Sequence, residues 1–241
     1  MLLLYRKRRQ KANFTGRFED FFPGGYALGG AEVEIAGQGK EKGVFVRETE
    51  DIFKKGVDKP AFSVYNRDML KNLYDNYTGE ESGFPTTLSY RHEGQTLYFT
   101  FDCFRSKKFS AYVSDNDPLF LGDVAEVFIC TGDDLSRYYE IEVAPNGAVF
   151  FAAITNDGKN VSTDFPERHF KAEVVSLDRG YRVILEIPDA ELGVTDVGKI
   201  RFNAFRIETE GGTPEKNLLA LNPTLCGKFH LPEFFIPWTE N

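Results

Sequence analysis

Residues 125–143 read AEVFICTGDDLSRYYEIEV, two runs of alternating side chains joined by the polar stretch TGDD. A period of two puts Ala125, Val127 and Ile129 on one side of the first run and Glu126, Phe128 and Cys130 on the other. The second run sends Tyr139, Ile141 and Val143 inward and Glu140 and Glu142 outward. Consecutive runs of this kind, separated by a turn, read as antiparallel strands. If they pair, Glu126, Glu140 and Glu142 share one outer face. Alternating acids are equally what a solvated strand face carries, so the pattern alone leaves both readings open.

Outward from this pair the same grammar repeats. After Pro85 come TTLSYRH, QTLYFTFDCF, FSAYVS, AVFFAAIT, FKAEVVSL, GYRVILEIP and KIRFNAFRIE, separated by turns such as EGQ, PNG, NDG and DRG. Leu97, Phe99, Phe101 and Cys103 share one face of their run, and Tyr181, Val183, Leu185 and Ile187 share one face of theirs, as two inner faces of a core would. At least eight strands without intervening helices predict an all-β fold, an antiparallel two-sheet β-sandwich with one or two short helices. One helix is expected over NRDMLKNLYDNY, where Met69, Leu70, Leu73, Tyr74 and Tyr77 recur at helical spacing behind a capping Asn66.

The chain has 241 residues, 23 Phe and 11 Tyr against 1 Trp, and a formal charge of −8, unevenly spread. Residues 1–60 hold 12 basic and 9 acidic side chains, residues 61–241 hold 17 and 28. An acidic body repels phosphate backbones, so no nucleic-acid partner is expected; the basic run Arg6–Lys11 reads as a solvated tail. PGGYALGG and AGQGKEKG read as glycine-rich connectors, giving residues 1–43 as a basic, glycine-rich extension and residues 44–241 as the sandwich domain. Only Met1–Leu4 are apolar ahead of the basic run, which predicts no membrane span and, as written, a cytoplasmic protein; a leader upstream of this start would make it secreted. Cys103, Cys130 and Cys226 show no CxxC spacing, and the first two lie in strand runs as packed thiols.

Chemistry-bearing patterns are sparse. Glu140 and Glu142, two residues apart on a strand, stand roughly 6.5–7 Å apart, within the range of glycosidase carboxylates. An open strand face, however, offers neither acid the desolvation that raises a catalytic pKa. His92, His169 and His230 are scattered, which gives a metal triad no support, and no cofactor is expected with certainty. The runs SDND (Ser114–Asp117) and TGDD (Thr131–Asp134) carry oxygen donors suited to calcium but lack the twelve-residue loop pattern, and read as acidic turns.

The order LYFTF, GDVAEVFI, YYEIEVAPNGAVF, GYRVILEIP, IRFNAFRIE, NPT and FHLPEFF, over residues 86–236, resembles that of the family 9 carbohydrate-binding modules and family 9-like domains. The resemblance implies a noncatalytic β-sandwich that clamps a terminal sugar between two aromatic rings, with calcium held structurally elsewhere. It places one ring on Phe120, three before the motif Asp123, and the second on Phe229, ahead of HLPEFF. The motif acid that bonds sugar hydroxyls falls on Glu126, with Glu140 beside it. Asn203 and Arg206 match polar positions of a late strand, and Asp123 is expected to fix its loop. Both clamp positions carry phenylalanine where the best sugar binders carry tryptophan, a smaller face for a pyranose. The partner so implied is a monosaccharide or short oligosaccharide. Two alternatives remain at this point: a glycoside hydrolase using the same surface carboxylates, and a protein-interaction module without sugar affinity.

Overall fold

A computed structural model describes the backbone of residues 32–36 and 43–47 and the whole of residues 70–239. The chain divides into two units, residues 1–63 and 64–241. In the first, β1 (Glu32–Ala36) and β2 (Gly43–Arg47) pair as an antiparallel hairpin, joined by the glycine-rich GQGKEK. The basic run Arg6–Lys11, PGGYALGG, Asn66 and Met69 lie outside the described residues.

The second unit is a sandwich, as the alternating runs predict. Its strands are β3 (Lys71–Asn72), β4 (Tyr74–Asp75), β5 (Thr86–Glu93), β6 (Thr96–Phe104), β7 (Val124–Cys130), β8 (Arg137–Val143), β9 (Val149–Asn156), β10 (Val161–Asp164), β11 (Lys171–Leu177), β12 (Gly180–Pro188), β13 (Arg201–Glu208), β14 (Asn217–Ala220) and β15 (Ile236–Pro237). A one-turn helix, α1 (Asp189–Leu192), follows β12. The larger sheet runs β10-β9-β8-β7-β13-β14-β4 with β15 also on β13, and the smaller runs β11-β12-β6-β5-β3. Every pairing is antiparallel.

The core lies between the sheets. Tyr181, Val183, Leu185 and Ile187 sit opposite Cys103, Phe101, Phe99 and Leu97 in register, all of them buried. Ala125, Val127 and Ile129 of β7 and Ile141 and Val143 of β8 close the core from the larger sheet. Trp238 packs edge-on against Tyr90 and Phe99, with centroids 4.9 and 5.7 Å away, and is a core residue. Cys103 and Cys130 are buried free thiols.

Two expected elements are absent where the sequence put them. From Leu70 onward the expected helix is instead β3 and β4, which pair with β5 of one sheet and β14 of the other. The chain steps between sheets there, burying Leu73 while leaving Leu70 and Tyr77 exposed, so the helical stripe faces no single surface. FSAYVS forms a loop because it has no inner face: Val113 is 81% exposed, and Phe109 N–H is bound by the Asp123 carboxylate rather than by a strand.

Candidate functional site: an acidic groove on the larger sheet

The outer face of β7, β8 and β13 is covered rather than wet. Directly paired residues of antiparallel strands share a face, so the pairs Glu126–Glu142, Phe128–Glu140, Phe128–Asn203 and Glu126–Phe205 place all of these side chains outward together. The chain after β14 returns across this face. His230 Nδ1 lies 2.8 Å from the Tyr138 hydroxyl, Asn156 Nδ2 donates to the His230 carbonyl at 3.0 Å, and Phe235 packs edge-on against Phe128 and Tyr138. A second apolar cluster, containing Phe128, Tyr138, Ile154 and Phe205, results.

Between this returning segment and the turn Leu119–Leu121 lies a groove of about 990 Å³ lined by Phe120, Glu126, Glu140, Glu142, Phe150, Lys216 and Phe229, among others. Phe120 is 44% exposed, with Lys216 Nζ 5.2 Å from its ring centre and donating to its carbonyl at 2.7 Å. Phe229 is half-buried and lies flat on Phe205, centroids 4.1 Å apart and planes 14° apart, so one of its faces is already covered.

On the floor, the carboxylates of Glu126, Glu140 and Glu142 converge, one oxygen of each within 4.8 Å of the others. All three are buried. This corrects the expectation of acids on an open strand face: the returning segment supplies the desolvation that the strands alone could not. Burial pushes Glu140 up to about 7, and burial followed by the neighbouring carboxylates lifts Glu126 and Glu142 well above the usual carboxylate range. His230, with Nε2 3.9 Å from a Glu140 oxygen, is held below its ordinary pKa by burial.

Four of the six residues named from sequence, Phe120, Glu126, Glu140 and Phe229, therefore line one groove. Asn203 and Arg206 do not. Asn203 lies on the same face, but its amide is occupied by the covering segment: Nδ2 donates to the Asn222 carbonyl and Oδ1 accepts from Asn222 N–H. Arg206 points the other way, pairing with Glu208 at 2.7 Å and donating to Thr86 Oγ1 and the Phe104 carbonyl at the end of the core. Asp123 does fix its loop: one oxygen accepts from Ser106 Oγ and Phe109 N–H, the other from Thr209 N–H and Oγ1.

The acidic turns satisfy themselves. Asp115 accepts from Val149 N–H and pairs with Arg168, Asp133 pairs with Lys199, and Asp134 binds Ser136 N–H and Oγ. Glu142 was visible in the alternation of YEIEV, whereas Lys216 carries no local signal and His230 reads only as one of three scattered histidines. They reach the groove only through the return of the chain.

The sandwich fold is shared with a Bacteroides uniformis protein provisionally assigned to carbohydrate binding, 17% identical, with a TM-score of 0.57 over 69% of this chain and 83% of that one. Two structures of a family 9 carbohydrate-binding module from Caldicellulosiruptor kristjanssonii, one with glucose and one with cellotriose, are each 16% identical, with TM-scores of 0.49 and 0.44. The glucose complex matches over 71% of this chain and 86% of its own, the cellotriose complex over 62% and 70%. No family profile matches the chain. An extracellular protein of Arthroderma benhamiae is 30% identical over 181 residues, covering 67% of this chain and 82% of that protein, and the chain belongs to its family. Among the described residues no helix is long and apolar enough to cross a membrane.

Proposed function

We propose that the protein is a noncatalytic carbohydrate-binding domain that receives a terminal sugar or short oligosaccharide in the acidic groove. The observation that carries this reading is the convergence of two aromatic rings, Phe120 and Phe229, with the carboxylates of Glu126 and Glu140 on one concavity, although they lie up to 109 positions apart in sequence. Aromatic faces bury the C–H side of a pyranose, and carboxylates are acceptors for its hydroxyl donors. The fold of the Bacteroides uniformis protein supports the reading, and the extracellular relative supports a site of action outside the cell.

The raised pKa of Glu140 favours hydrolysis as a second reading, since a general acid needs a proton near neutral pH. Its geometry argues the other way. Glycosidase carboxylates flank the scissile bond at about 5–5.5 Å or 6.5–9.5 Å. Here three acids gather on one side, on neighbouring strands and within 4.8 Å. Nothing acidic stands across the groove among the residues that line it except Glu233, on the returning segment.

The test is a glycan array followed by calorimetric titration of the sugars that bind. Phe120, being exposed, can be truncated without opening a cavity, so Phe120→Ala is expected to weaken binding by roughly tenfold from lost stacking area while leaving the melt unchanged. Phe120→Trp is expected to tighten it. An array without hits, or affinity indifferent to Phe120 and Glu126→Gln, removes the sugar reading in favour of a protein partner. Sustained release of product from aryl glycosides, lost in Glu140→Gln, installs the hydrolase.

A further inference from the structure

The Glu126, Glu140 and Glu142 cluster has a property that sugar recognition does not require. Glu126 Oε1 and Glu142 Oε2 are buried side-chain oxygens with no hydrogen-bonding partner, and both residues line the groove. Each of the three residues is more than nine-tenths buried, at 2, 7 and 2% exposure. A carboxylate left with an unpaired oxygen in a desolvated place is costly to ionise, more so when like groups adjoin it, unless a cation sits against it.

The nearby cations do not discharge this cost. Lys216 directs its ammonium to the Phe120 carbonyl and ring, and its charge acts on Glu126 only through space. His230 turns Nδ1 to Tyr138 and leaves Nε2 3.9 Å from Glu140, and burial disfavours its cationic form. Lys159 and Lys228 line the groove without a bond to the three acids.

We propose that Glu126, Glu140 and Glu142 form a divalent-cation site on the groove floor, suited by its chemistry to calcium. The converging donors are carboxylate oxygens alone, with His230 near Glu140 but outside that set, which favours a hard cation over zinc and the softer transition metals. Oxygens no more than 4.8 Å apart fit around one ion whose Ca–O bonds of about 2.5 Å span roughly 5 Å across the ion. The strand register fixes this spacing: Glu126 pairs directly with Glu142, and Glu140 with Phe128 one step along the same face. Three carboxylates supply part of a calcium shell, and the groove side is left for water or for hydroxyls of a ligand. The site is distinct from the acidic turns, whose carboxylates are taken up by backbone N–H groups and by Arg168, Lys199 and Ser136.

The site stands apart from the sugar reading because the ion is titrated without any sugar. The 241-residue protein, stripped with chelator, is titrated calorimetrically with calcium chloride and, in parallel, magnesium chloride, and its melting temperature is followed. One calcium per chain, with a melting temperature that climbs with calcium concentration, is the expected result. Glu142→Gln and Glu126→Gln keep the shape and are expected to weaken calcium binding by on the order of tenfold or more. Circular dichroism checks that both variants fold. Should they not, wild-type crystals soaked in terbium chloride locate the ion directly, with an anomalous peak among the three carboxylates expected. Absence of heat and of a melting shift up to about 10 mM calcium, beyond the range of weak extracellular sites, overturns the proposal. So does binding that survives both Gln variants and is lost in Asp115→Asn or Asp133→Asn, or a terbium peak at those turns.

Discussion

At the scale of single residues, the floor acids decide how the protein responds to pH. With divalent cations chelated, Glu140 titrates near 7 against an ordinary value of 4.5, and Glu126 and Glu142 are raised as well. The folded state therefore holds protons that the unfolded chain has released, so this contribution is present in full below about 4.5 and declines as pH rises through 7. Glu126→Gln removes one of the mutually repelling charges. The variant is expected to match the wild type at pH 4.5 and to exceed it at pH 8 by up to a few kcal/mol, read from urea melts in chelator. Equal slopes of stability against pH in both proteins would show that the three carboxylates are not coupled. The acids themselves were legible in sequence, because alternation fixes the face on which a side chain emerges. Their burial was not, since it comes from His230 and Phe235, which lie about 90 residues beyond β8; the run FHLPEFF puts Phe229 at the site, but nothing in it shows that its neighbours cover the acids. Arg206 shows the converse limit: alternation groups it with Phe202 and Ala204, but Phe205 and Ile207 make the opposite face apolar too, so the sequence does not say which face is inner.

Among elements, the short connection before β7 ties the aromatic wall of the groove to the core. Gly122 is extended, at φ −113°, so its backbone suits any residue, but a Cβ there would meet Ala111 N at 2.8 Å and Phe109 O at 2.9 Å. Both neighbours are backbone atoms of the loop that Asp123 holds, and neither can swing aside. Gly122→Ala is expected to cost about 1–3 kcal/mol and to displace Phe120, two residues away, weakening any ligand that stacks on it. Gly83→Ala, where nothing lies within 4 Å, is the control and should stay within about 0.5 kcal/mol of the wild type. If the two alanine variants melt alike in urea, the loop does not brace the turn. The strands of this region follow from period two, whereas β3 and β4 escaped it. Two-residue strands on different sheets leave the same spacing of apolar side chains as one turn of helix, and only pairing with β5 and β14 separates the two.

For the whole molecule, the question is whether residues 64–241 need the chain that precedes them. Among the described residues, the buried side chains of the core between the sheets run from Leu73 to Trp238, and strands at both ends of that span, β3, β4 and β15, are paired within the same two sheets. Sheets whose terminal strands pair within the same unit, in a chain that divides at residue 64, support an independently folding domain. A chain beginning at Val64 is therefore expected to fold cooperatively, with a melting midpoint within about 2 °C of the 241-residue protein, and to keep its affinity for calcium and for sugar. The charge balance makes the comparison sharper. Residues 1–60 carry 12 basic and 9 acidic side chains and the remainder 17 and 28, so removing the basic end leaves a more acidic body. Calcium affinity is then expected to hold or rise slightly at low salt, where long-range charge is felt, and to coincide with that of the full chain at about 0.15 M. A midpoint lowered by several degrees, or a groove that no longer binds, would show that residues 1–63 take part in the folded domain.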